Sequence, residues 1–526
     1  MYRRIDLDDV DLQPEFDGLM KVNQALLSSL NLAHHQLQEL FNPEIRSSVH
    51  EPMVQNMFAF IQGLSGKKVI VCGDYDCDGV LSTSLLVKFC RSLNIEVGFY
   101  IPNRISEGYG VGLDTVKLAI ERGYEALICV DNGVSAQSEL SYAKAHGLAV
   151  GIIDHHLIGD EPVCDVLLHP DGLSGYYKGM CATGLVALLF EQTSMQDEVL
   201  AMACVGTIGD MMELWGKNRE FVRTGLDVLN RKSFACFDAL RNDQLAYTAQ
   251  SIAFQIVPKI NAVGRLSNRA NPNNLVRYFC DLNDNDLRSF ASQVNKVNDL
   301  RKTLTRNAMG VAQAKIKDEA IIIVEDESFH EGIVGIIAGQ LSAQYHRPAI
   351  VLTTSEHRYK GSGRSQTISL HHLLSRADSA WLTRFGGHAQ AAGVEVAIEG
   401  LDAFRKNMLE LMADEPQIAD DHVVYVIDPT SITVESMREL SRFEPYGQGF
   451  QLPTVLCELQ GKPVRLGQVG YKWVMPTLEF AFFGQLPAEL ISYQRTYVVG
   501  SLRLNQFRSK QTVQLVISDF MSEGDL

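Results

Sequence analysis

Residues 67–90 read KKVIVCGDYDCDGVLSTSLLVKFC. A short apolar run, KKVIVC, leads into a turn rich in Gly and Asp and then into a stretch with helical spacing. A short apolar run bounded by turn residues is typical of a buried strand. Three more such runs follow and alternate with helical stretches: IEVGFYI (95–101), EALICV (125–130) and LAVGII (148–153). This alternation predicts βαβ units and an α/β domain with a doubly wound parallel sheet.

The chain has 526 residues, which suggests three or four domains at about 150 residues each. A mostly helical connector, interrupted by the loop-like PKINAVGRLSN at 258–268, separates the first α/β domain from a second one that begins near EAIIIVED. The tail carries alternating strand runs, which favour a small all-β barrel. We expect five regions: N-terminal helical (1–60), parallel-sheet domain (61–215), helical connector (216–315), second α/β domain (316–415) and β-barrel (423–526).

Composition excludes several protein classes. The 47 basic and 63 acidic side chains give a net charge of −16, which opposes binding of nucleic acid through the overall field of the protein. Ten cysteines form no CxxC pair, so neither a disulfide framework nor a zinc ribbon is indicated. The start, MYRRIDLDDVDLQ, has acids where a signal peptide is apolar, and no apolar run nears the ~18 residues of a membrane span. We expect a cytoplasmic chain with no membrane contact.

Acidic residues follow the strand-like runs. KKVIVC leads to Asp74, Asp76 and Asp78, EALICV to Asp131, and LAVGII to Asp154-His155-His156. A further acid, Asp210, follows the apolar run AMACVGTIG, and we treat it as the fourth acid at a strand end. Ligands of open parallel sheets bind outside the carboxyl ends of the strands, so these side chains are expected to meet at one edge.

So many carboxylates in one crevice repel each other unless cations neutralise them. Oxygen ligands with an imidazole suit Mn²⁺ or Mg²⁺, and two such ions ~4 Å apart are a common arrangement for phosphoryl displacement. Asp76 and Asp78 are two residues apart, which in an extended loop directs both side chains to one face, one for each metal. Any single Asp after a strand is more often a cap or turn residue, but four at corresponding positions favour a shared site.

These motifs resemble a known family. DYDCDG, DNG, DHH and Asp210 are similar to the four motifs of the DHH phosphoesterases, and GGHAQAAG at 386–393 resembles the GGH motif of the DHHA1-type domain that accompanies them. The ordered set also includes SEGYG (106–110), PKINAVGRL (258–266), HEGIVGIIAGQL (330–341) and GSGRS (361–365). That order resembles the single-strand-specific 5′ to 3′ DNA exonucleases of the family, whose bacterial members carry an OB-like β-barrel at the C-terminus.

The resemblance implies a role for individual residues. The implied metal ligands, with Asp131 bridging two divalent cations (Mn²⁺ or Mg²⁺), are Asp74, Asp76, Asp78, Asp131, His155 and Asp210. Asp154 and His156 would orient the site or assist proton transfer, and His388 would approach the scissile phosphate. The implied substrate-binding residues, including a pocket for a 5′ phosphate, are Arg104, Asn261, Arg265, Ser362, Arg364, Gly386, Gly387 and His388. Relatives with a histidine two residues before the first Asp differ from this chain, which has Cys72 there and so lacks that ligand.

The implied reaction is two-metal hydrolysis of single-stranded DNA to 5′ mononucleotides in repair and recombination, by a monomer that cooperates with repair proteins such as a single-strand-binding protein or helicase. Because removing six site acids leaves −10, DNA binding requires a confined basic strip: His357-Arg358-Tyr359-Lys360 with Arg364, and Arg503, Arg508 and Lys510 in the tail. Two alternatives are a phosphodiesterase for dinucleotides or very short oligonucleotides, and a scaffold that has lost the chemistry. The intact acids oppose the scaffold.

Overall fold

The computed structural model describes residues 2–355, 357–416, 422–466, 470–484, 486–487, 495–507 and 510–525. The strands are β1 (Arg3–Asp6), β2 (Lys68–Cys72), β3 (Glu96–Tyr100), β4 (Ala126–Val130), β5 (Ala149–Ile153), β6 (Val166–Leu168), β7 (Ile322–Glu325), β8 (Ala349–Ser355), β9 (Arg358–Arg364), β10 (Leu382–Gly387), β11 (Ala391–Ala397), β12 (Val423–Val426), β13 (Val455–Leu459), β14 (Val464–Leu466), β15 (Gly470–Val474), β16 (Leu478–Phe483), β17 (Thr496–Phe507) and β18 (Lys510–Ser522).

The α-helices are α1 (Lys21–Ser28), α2 (His34–Phe41), α3 (Pro52–Gln62), α4 (Cys77–Ser92), α5 (Leu113–Glu121), α6 (Gln137–Ala145), α7 (Ala182–Phe190), α8 (Asp197–Gly209), α9 (Gly216–Arg231), α10 (Ala235–Asp238), α11 (Ala249–Ser251), α12 (Val257–Arg265), α13 (Asn273–Cys280), α14 (Asp284–Ala314), α15 (Val334–Tyr345), α16 (Leu370–Ser375), α17 (Leu401–Met412) and α18 (Val434–Leu440). The chain divides into two compact units. The first contains Met1–Arg46, Glu213–Arg223 and Asp421–Leu526, and the second contains Ser47–Met212 and Thr224–Asp420.

A five-stranded parallel sheet in the second unit has the order β3-β2-β4-β5-β6. All five residues of β4 are buried, as expected for a strand of a parallel sheet covered on both faces. The chain reverses its direction of winding between β2 and β4, so the loops that follow these strands open into the crevice where such folds bind ligands. The doubly wound sheet predicted from the alternating runs is confirmed.

A second five-stranded sheet, in the same unit, has the order β10-β11-β9-β8-β7. Only β7 and β8 run parallel, and the remaining neighbours are antiparallel. Its core contains buried aliphatic residues of β7, β8 and β11 with Phe404 and Met408 of α17. The second α/β domain is therefore confirmed, with a mixed sheet.

The connector between the two sheets is helical, as predicted, from α9 to α14. The prediction that PKINAVGRLSN is a loop is wrong. Residues Val257–Arg265 form α12, which follows a π-helical turn at Ile252–Ile256. Pro258 lies directly after the π-helical turn, where the local change in helical hydrogen bonding accommodates a residue that has no backbone N–H.

The first unit is built on an eight-stranded sheet with the order β1-β12-β13-β17-β18-β16-β15-β14. The strands expected in the tail are present, and β1 adds a strand from the N-terminal region, which was expected to be helical only. Arg3 of β1 pairs with Val423 of β12 in a parallel ladder. The core of this unit includes Phe16, Leu26 and Trp473. In the described ranges, no helix has both the length and the apolarity needed to cross a membrane.

Candidate metal centre and phosphate site

The first acidic motif joins β2 to α4. Asp74 lies in the turn after β2, whereas Asp76 is the N-cap of α4 and its Oδ1 accepts from the Gly79 amide at 3.0 Å. Asp78 lies inside the first turn of the helix, so the expectation that Asp76 and Asp78 share an extended loop is wrong. Only glycine fits at position 79, because a Cβ there would lie 2.5 Å from the Asp74 carbonyl oxygen.

The side chain of Asp78 is fully buried and bound to a helix. Its two oxygens accept from the backbone amides of Ala182 at 2.7 Å and Thr183 at 2.9 Å, in the first turn of α7. The N-terminus of a helix stabilises a negative charge through its free amides and its dipole. These two hydrogen bonds therefore hold the side chain of Asp78 in place.

Asp131 follows β4 in a left-handed backbone conformation, with φ of +60°. This conformation is unfavourable for a residue with a Cβ and is maintained only where the surroundings enforce it. The neighbouring Asn132 supplies part of that enforcement, since its buried side chain donates to the carbonyl oxygens of Cys72 at 3.1 Å and Val130 at 2.9 Å. The loops after β2 and β4 are thereby joined.

The third motif supplies one carboxylate and two imidazoles. Asp154 is fully buried, and its Oδ1 is 2.7 Å from Nδ1 of His156. Burial opposes ionisation of Asp154, but the hydrogen bond with His156 lowers its pKa, and the same bond raises the pKa of His156 against the opposing effect of burial. His155 instead points into the acidic cluster, where its Nε2 is 3.1 Å from Asp131 Oδ1 and 3.4 Å from Asp210 Oδ2. Burial lowers the pKa of His155, which favours the neutral imidazole that a metal ligand requires.

Asp210 joins the cluster from a different kind of element. It is the C-cap of α8, so its expected place at the end of a strand is wrong. The packing of α8 against α4 and α7 still brings its carboxylate beside His155. The helical character of AMACVGTIG was hidden because its residues are apolar on all sides.

The acidic cluster fits divalent cations. Three groups of side chains each place one possible ligand atom per residue within 4.8 Å of the others: Asp74, Asp76 and Asp131; Asp78, His155 and Asp210; and Asp131, His155 and His156. Buried Oδ1 of Asp74 and Oδ2 of Asp210 have no hydrogen-bond partner in the described part of the chain. Burial, followed by the charges of neighbouring aspartates, raises the pKa values of Asp74, Asp131 and Asp210 well above the usual range. A bound cation would offset the repulsion between the carboxylates and would also provide a partner for the two oxygens that have none.

Four arginines converge beside this cluster. Burial and then the guanidiniums of Arg104, Arg301 and Arg364 lower the pKa of Arg265 to about 10, so it remains charged at neutral pH. Arg104 lies over the ring of Tyr75, 5.0 Å from its centroid, and Arg364 donates to Ser362 Oγ at 2.6 Å. Among the described residues, none of the four arginines forms an ion pair with a carboxylate. Such a group requires an anion, and phosphate matches the planar fork of arginine.

The remaining predicted substrate-binding residues lie in two different places, three of them on the second sheet and one beside α4. Gly386 and Gly387 end β10, and His388 lies on the exposed turn before β11, where its amide donates to the Ala391 carbonyl at 2.8 Å. The side chain of Asn261 accepts from the Cys77 amide at 2.7 Å and so caps α4. No hydrogen bond or ion pair between described residues joins His388 to the acidic cluster.

Sequence reasoning missed several residues of the site. Tyr109, in the SEGYG segment, donates from its hydroxyl to the Asp131 carbonyl at 2.9 Å and lies within 3.3 Å of both ring nitrogens of His156. Arg301 lies on the long helix α14, where the sequence suggests only a solvated charge. A glycine-flanked tyrosine in a loop after a strand is a signal that could have identified Tyr109. Nothing in the local sequence distinguishes Arg301 from the other cations of its helix.

The expected basic strip is partly neutralised. Arg358 is paired with Glu395 at 2.9 Å and Lys360 with Glu331 at 3.2 Å. In the tail, Arg503 donates to Gln514 at 2.9 Å, whereas Arg508 lies outside the described residues. Arg364, which also belongs to the predicted strip, forms no ion pair among the described residues and is one of the four converging arginines.

Comparison with known protein families is consistent with this geometry. Residues 68–207 match the model of the DHH family N-terminal domain, 318–414 match the DHHA1 domain, and 425–519 match the RecJ OB domain. The chain resembles RecJ in the content and order of these three domains. The RecJ domain combination confirms the fold class expected from the sequence, including the OB-like β domain at the C-terminus.

Individual RecJ proteins are similar over most of this chain. The single-stranded-DNA-specific exonuclease RecJ of Bacillus subtilis is 30% identical over 86% of this chain, which spans 61% of the length of that relative. The Escherichia coli exonuclease of the same name is 27% identical over 86% of this chain and 87% of its own length. The resemblance predicted from the sequence is thereby confirmed.

Solved RecJ structures have the same fold. RecJ of Thermus thermophilus in complex with Mn²⁺ has a TM-score of 0.83 at 24% identity, covering 99% of this chain and 79% of that one. An exonuclease RecJ bound to manganese has a TM-score of 0.62 at 27% identity, covering 71% of this chain and 97% of that one. The Thermus protein was also solved with Mg²⁺. The acidic cluster of this chain offers carboxylate and imidazole groups of the kind that such divalent cations bind.

Proposed function

We propose that this chain is a 5′ to 3′ exonuclease specific for single-stranded DNA, which releases 5′ mononucleotides during DNA repair and recombination. The observation that carries the proposal is the position of four unpaired arginines beside a buried acidic cluster within one compact unit. The acids suit cations that act on a phosphodiester, and the arginines suit a phosphate that is not cleaved. The names of the RecJ relatives support the substrate and the reaction.

The proposed ligands of two divalent cations are Asp74, Asp76, Asp78, Asp131, His155 and Asp210. Asp131 belongs to two of the three ligand groups, which supports a bridging role. Bound cations of this kind lower the pKa of water and stabilise charge on the attacking and leaving oxygens of a phosphodiester. The protein holds these ligands in place beforehand, through the cap that α7 provides for Asp78 and through the enforced backbone of Asp131.

His156 is the proposed proton donor. Hydrolysis adds the hydroxyl of water to phosphorus, breaks the bond to the 3′ oxygen of the terminal nucleotide, and leaves that oxygen in need of a proton. The hydrogen bond with Asp154 orients the imidazole of His156 and raises its pKa, so the ring is better able to carry a proton at neutral pH. Tyr109 also contacts the ring and limits its rotation.

Direction is proposed to come from the arginines. Arg104, Ser362 and Arg364 would hold the phosphate at the 5′ end of the strand, with Arg265 beside them, so that the next phosphodiester lies at the acids. Gly386, Gly387 and His388 would approach the backbone of the strand from the second sheet. Asn261 supports the site through the amide of Cys77.

Selectivity for single strands is proposed to arise from base stacking. Large apolar side chains are exposed directly after the acidic motifs: Leu157 is 76% exposed and Met211 70% exposed, and Tyr109 is 49% exposed beside His156. Unpaired bases stack on such surfaces with little sequence preference, whereas the bases of a duplex are occupied by one another. A slight sequence preference follows.

The finer features of the assignment are also proposals. We infer a cytoplasmic monomer that works with repair proteins such as a single-strand-binding protein or a helicase. We also infer domain limits near 1–60, 61–215, 216–315, 316–415 and 423–526. The three family matches support three of these regions, since they fall within 61–215, 316–415 and 423–526.

Time-resolved product analysis tests the proposed function. Single-stranded DNA with a 5′ phosphate and a label at the 3′ end is incubated with the protein and Mn²⁺ or Mg²⁺, and compared with a dinucleotide. The proposal expects the 3′-labelled strand to shorten stepwise and mononucleotides to be released from the start. Consumption of the dinucleotide alone would show a phosphodiesterase for short oligonucleotides instead, and no turnover of either substrate would indicate a scaffold.

A matched pair of variants accompanies this assay. Asp131→Ala should lower the rate by about 1,000-fold, since cations at such sites contribute several kcal/mol and each 1.36 kcal/mol is about tenfold. Asp114→Ala, which removes a fully exposed carboxylate of α5, should leave the rate unchanged. Equal rates for the two variants would contradict the assignment of Asp131.

A further inference from the structure

The loop after β3 is fastened to the end of α12 by one asparagine. Nδ2 of Asn103 donates to the carbonyl oxygen of Ser267 at 3.0 Å, and Oγ of Ser267 donates back to Oδ1 of Asn103 at 2.8 Å. The same Oδ1 accepts from the amides of Ile105 at 3.0 Å and Ser106 at 3.2 Å. A single side chain therefore shapes its own loop and binds a segment 164 residues away in sequence.

Both partners of this contact are next to arginines of the phosphate site. Arg104 directly follows Asn103, and Arg265 lies two residues before Ser267. The two guanidiniums repel each other, which contributes to the lowered pKa of Arg265. Like charges repel each other, so a hydrogen-bonded connection between the loop of Arg104 and the end of α12, which carries Arg265, helps to keep both guanidiniums aimed at one anion.

We propose that Asn103 is a positioning residue that, through Ser267, holds Arg104 and Arg265 at the spacing required for a 5′ phosphate. This inference rests on the proposed function, because it assumes that the arginines bind the terminal phosphate. Asn103 itself does not touch the substrate. It acts on the preference of the enzyme for a phosphorylated 5′ end rather than on the bond that is cleaved.

A second attachment keeps the loop folded when Asn103 is changed. The amide of Ile101 donates to Oδ1 of Asn273 at 2.8 Å, and Nδ2 of Asn273 donates to the carbonyl oxygen of Ile101 at 2.8 Å. The side chain of Asn273 thus binds both the N–H and the C=O of Ile101, as a neighbouring strand would, at the start of the loop after β3. Backbone hydrogen bonds from the amides of Glu107 and Gly108 to the carbonyl oxygen of residue 103 also remain. Asn103→Ala therefore removes the connection to Ser267 while the loop itself stays attached.

The test compares two substrates. The value of kcat/KM is measured on one single-stranded oligonucleotide with either a 5′ phosphate or a 5′ hydroxyl, for the whole protein with Mn²⁺. In Asn103→Ala the ratio of the two values should fall by about tenfold or more, because loss of a supporting hydrogen-bond partner costs about 10- to 100-fold at a preorganised site. Ser267→Ala should lower the ratio less, since the Ser267 carbonyl still accepts, and should add little to Asn103→Ala.

Asn230→Ala is the matched control. Asn230 makes three side-chain hydrogen bonds, against four for Asn103: it donates to the carbonyl oxygens of Leu226 and Tyr247 at 2.9 Å and accepts from the Tyr247 amide at 2.7 Å. Neither of these partners is next to one of the four arginines in sequence. Asn230→Ala should lose thermal stability as Asn103→Ala does and keep the wild-type ratio.

The outcomes separate this inference from the proposed function. If the wild-type protein prefers the phosphorylated end and Asn103→Ala keeps that preference, with both substrates affected in parallel, then the positioning role is refuted and the phosphate site stands. If the wild-type protein cleaves both ends equally well, the assignment of the arginines fails, and the role of Asn103 fails with it.

Discussion

Replacing Asp210 by asparagine should stabilise the metal-free protein while weakening its response to metal. Oδ2 of Asp210 is buried without a hydrogen-bond partner among the described residues, and the carboxylate lies within 4.8 Å of Asp78 in a shared ligand group. Burial and then the charges of Asp78, Asp76 and Asp74 raise its pKa well above the usual range. Asparagine has nearly the same shape and carries no charge, so it relieves the repulsion.

The size of the effect follows from the spacing. Two unit charges 4.8 Å apart repel by about 3.5 kcal/mol at an effective dielectric constant of about 20. The side chain of Asp210 is 25% exposed, and solvent screening reduces the gain to roughly 1.5–2 kcal/mol. At about 2 °C per kcal/mol for a unit of this size, the Tm should rise by roughly 3–4 °C.

The assay is thermal unfolding of the whole protein, without metal and with Mn²⁺. At a free Mn²⁺ concentration of about 100 Kd, the wild-type protein should gain about 2.7 kcal/mol, whereas Asp210→Asn should gain less than half of that. Asp78→Asn is the matched control, for which the metal-free Tm is expected to change in the opposite direction. Each oxygen of Asp78 accepts one backbone amide of α7, and asparagine has only one oxygen to accept them, so Asp78→Asn should lower the metal-free Tm.

The pH dependence adds a further check on Asp210. Because the native pKa of this carboxyl is raised, the native state binds its proton more tightly than the unfolded chain does. The metal-free wild-type protein therefore loses stability as the pH rises through the interval between the two pKa values. The advantage of Asp210→Asn should grow with pH and vanish in acid. A lower metal-free Tm for this variant at pH 8, or an undiminished response to Mn²⁺, would refute the reasoning.

Two further predictions concern the phosphate site. Gly386→Ala should fold normally, because a Cβ there meets no atom within 4 Å, but it should lower kcat/KM on single-stranded DNA by about tenfold. Gly387→Ala should destabilise the turn, because the φ of Gly387 is +139° and a Cβ would lie 2.3 Å from the Ala391 carbonyl oxygen. Measurements of Tm and kcat/KM for both variants test these expectations. Arg265→Gln should weaken DNA binding and reduce the slope of log K against log salt by about 0.7, the value for one phosphate contact on a single strand, and an unchanged slope in a titration would contradict a phosphate contact.

The acidic motifs of the sheet could be predicted from the sequence because their positions depend on local rules. Asp74, Asp131 and Asp154 each follow closely on a buried parallel strand, and such strands end at a common edge. Short apolar runs bounded by turn residues are enough to locate those strands. The prediction of a shared cation site depended on this regularity alone, together with the repulsion that uncompensated carboxylates would suffer.

Other features depend on contacts between distant parts of the chain and could not be predicted. Asp210 reaches the cluster through the packing of α8, and β1 pairs with β12, which follows the whole of the second unit in sequence. The helix α12 was mistaken for a loop because its Pro and Gly are usual turn residues, whereas in the structure Pro258 starts the helix and Gly264 allows close contact with the Tyr75 carbonyl. Arg301 has no local signal, since its role depends on which helix lies beside α14.

The acidic site is arranged at a cost to the stability of the fold. Asp131 adopts a left-handed backbone conformation, Asp74 and Asp210 each have a buried oxygen without a partner in the described part of the molecule, and several aspartates raise the pKa values of one another. Each of these features is unfavourable in a protein without metal, and they occur together at one edge of one sheet. The densely buried strands and the helices α4 and α7 around them supply the rigidity that maintains this arrangement. Because a bound cation would offset the charge repulsion and supply partners for the two buried oxygens, the geometry that weakens the metal-free fold is suited to cations rather than to a neutral ligand.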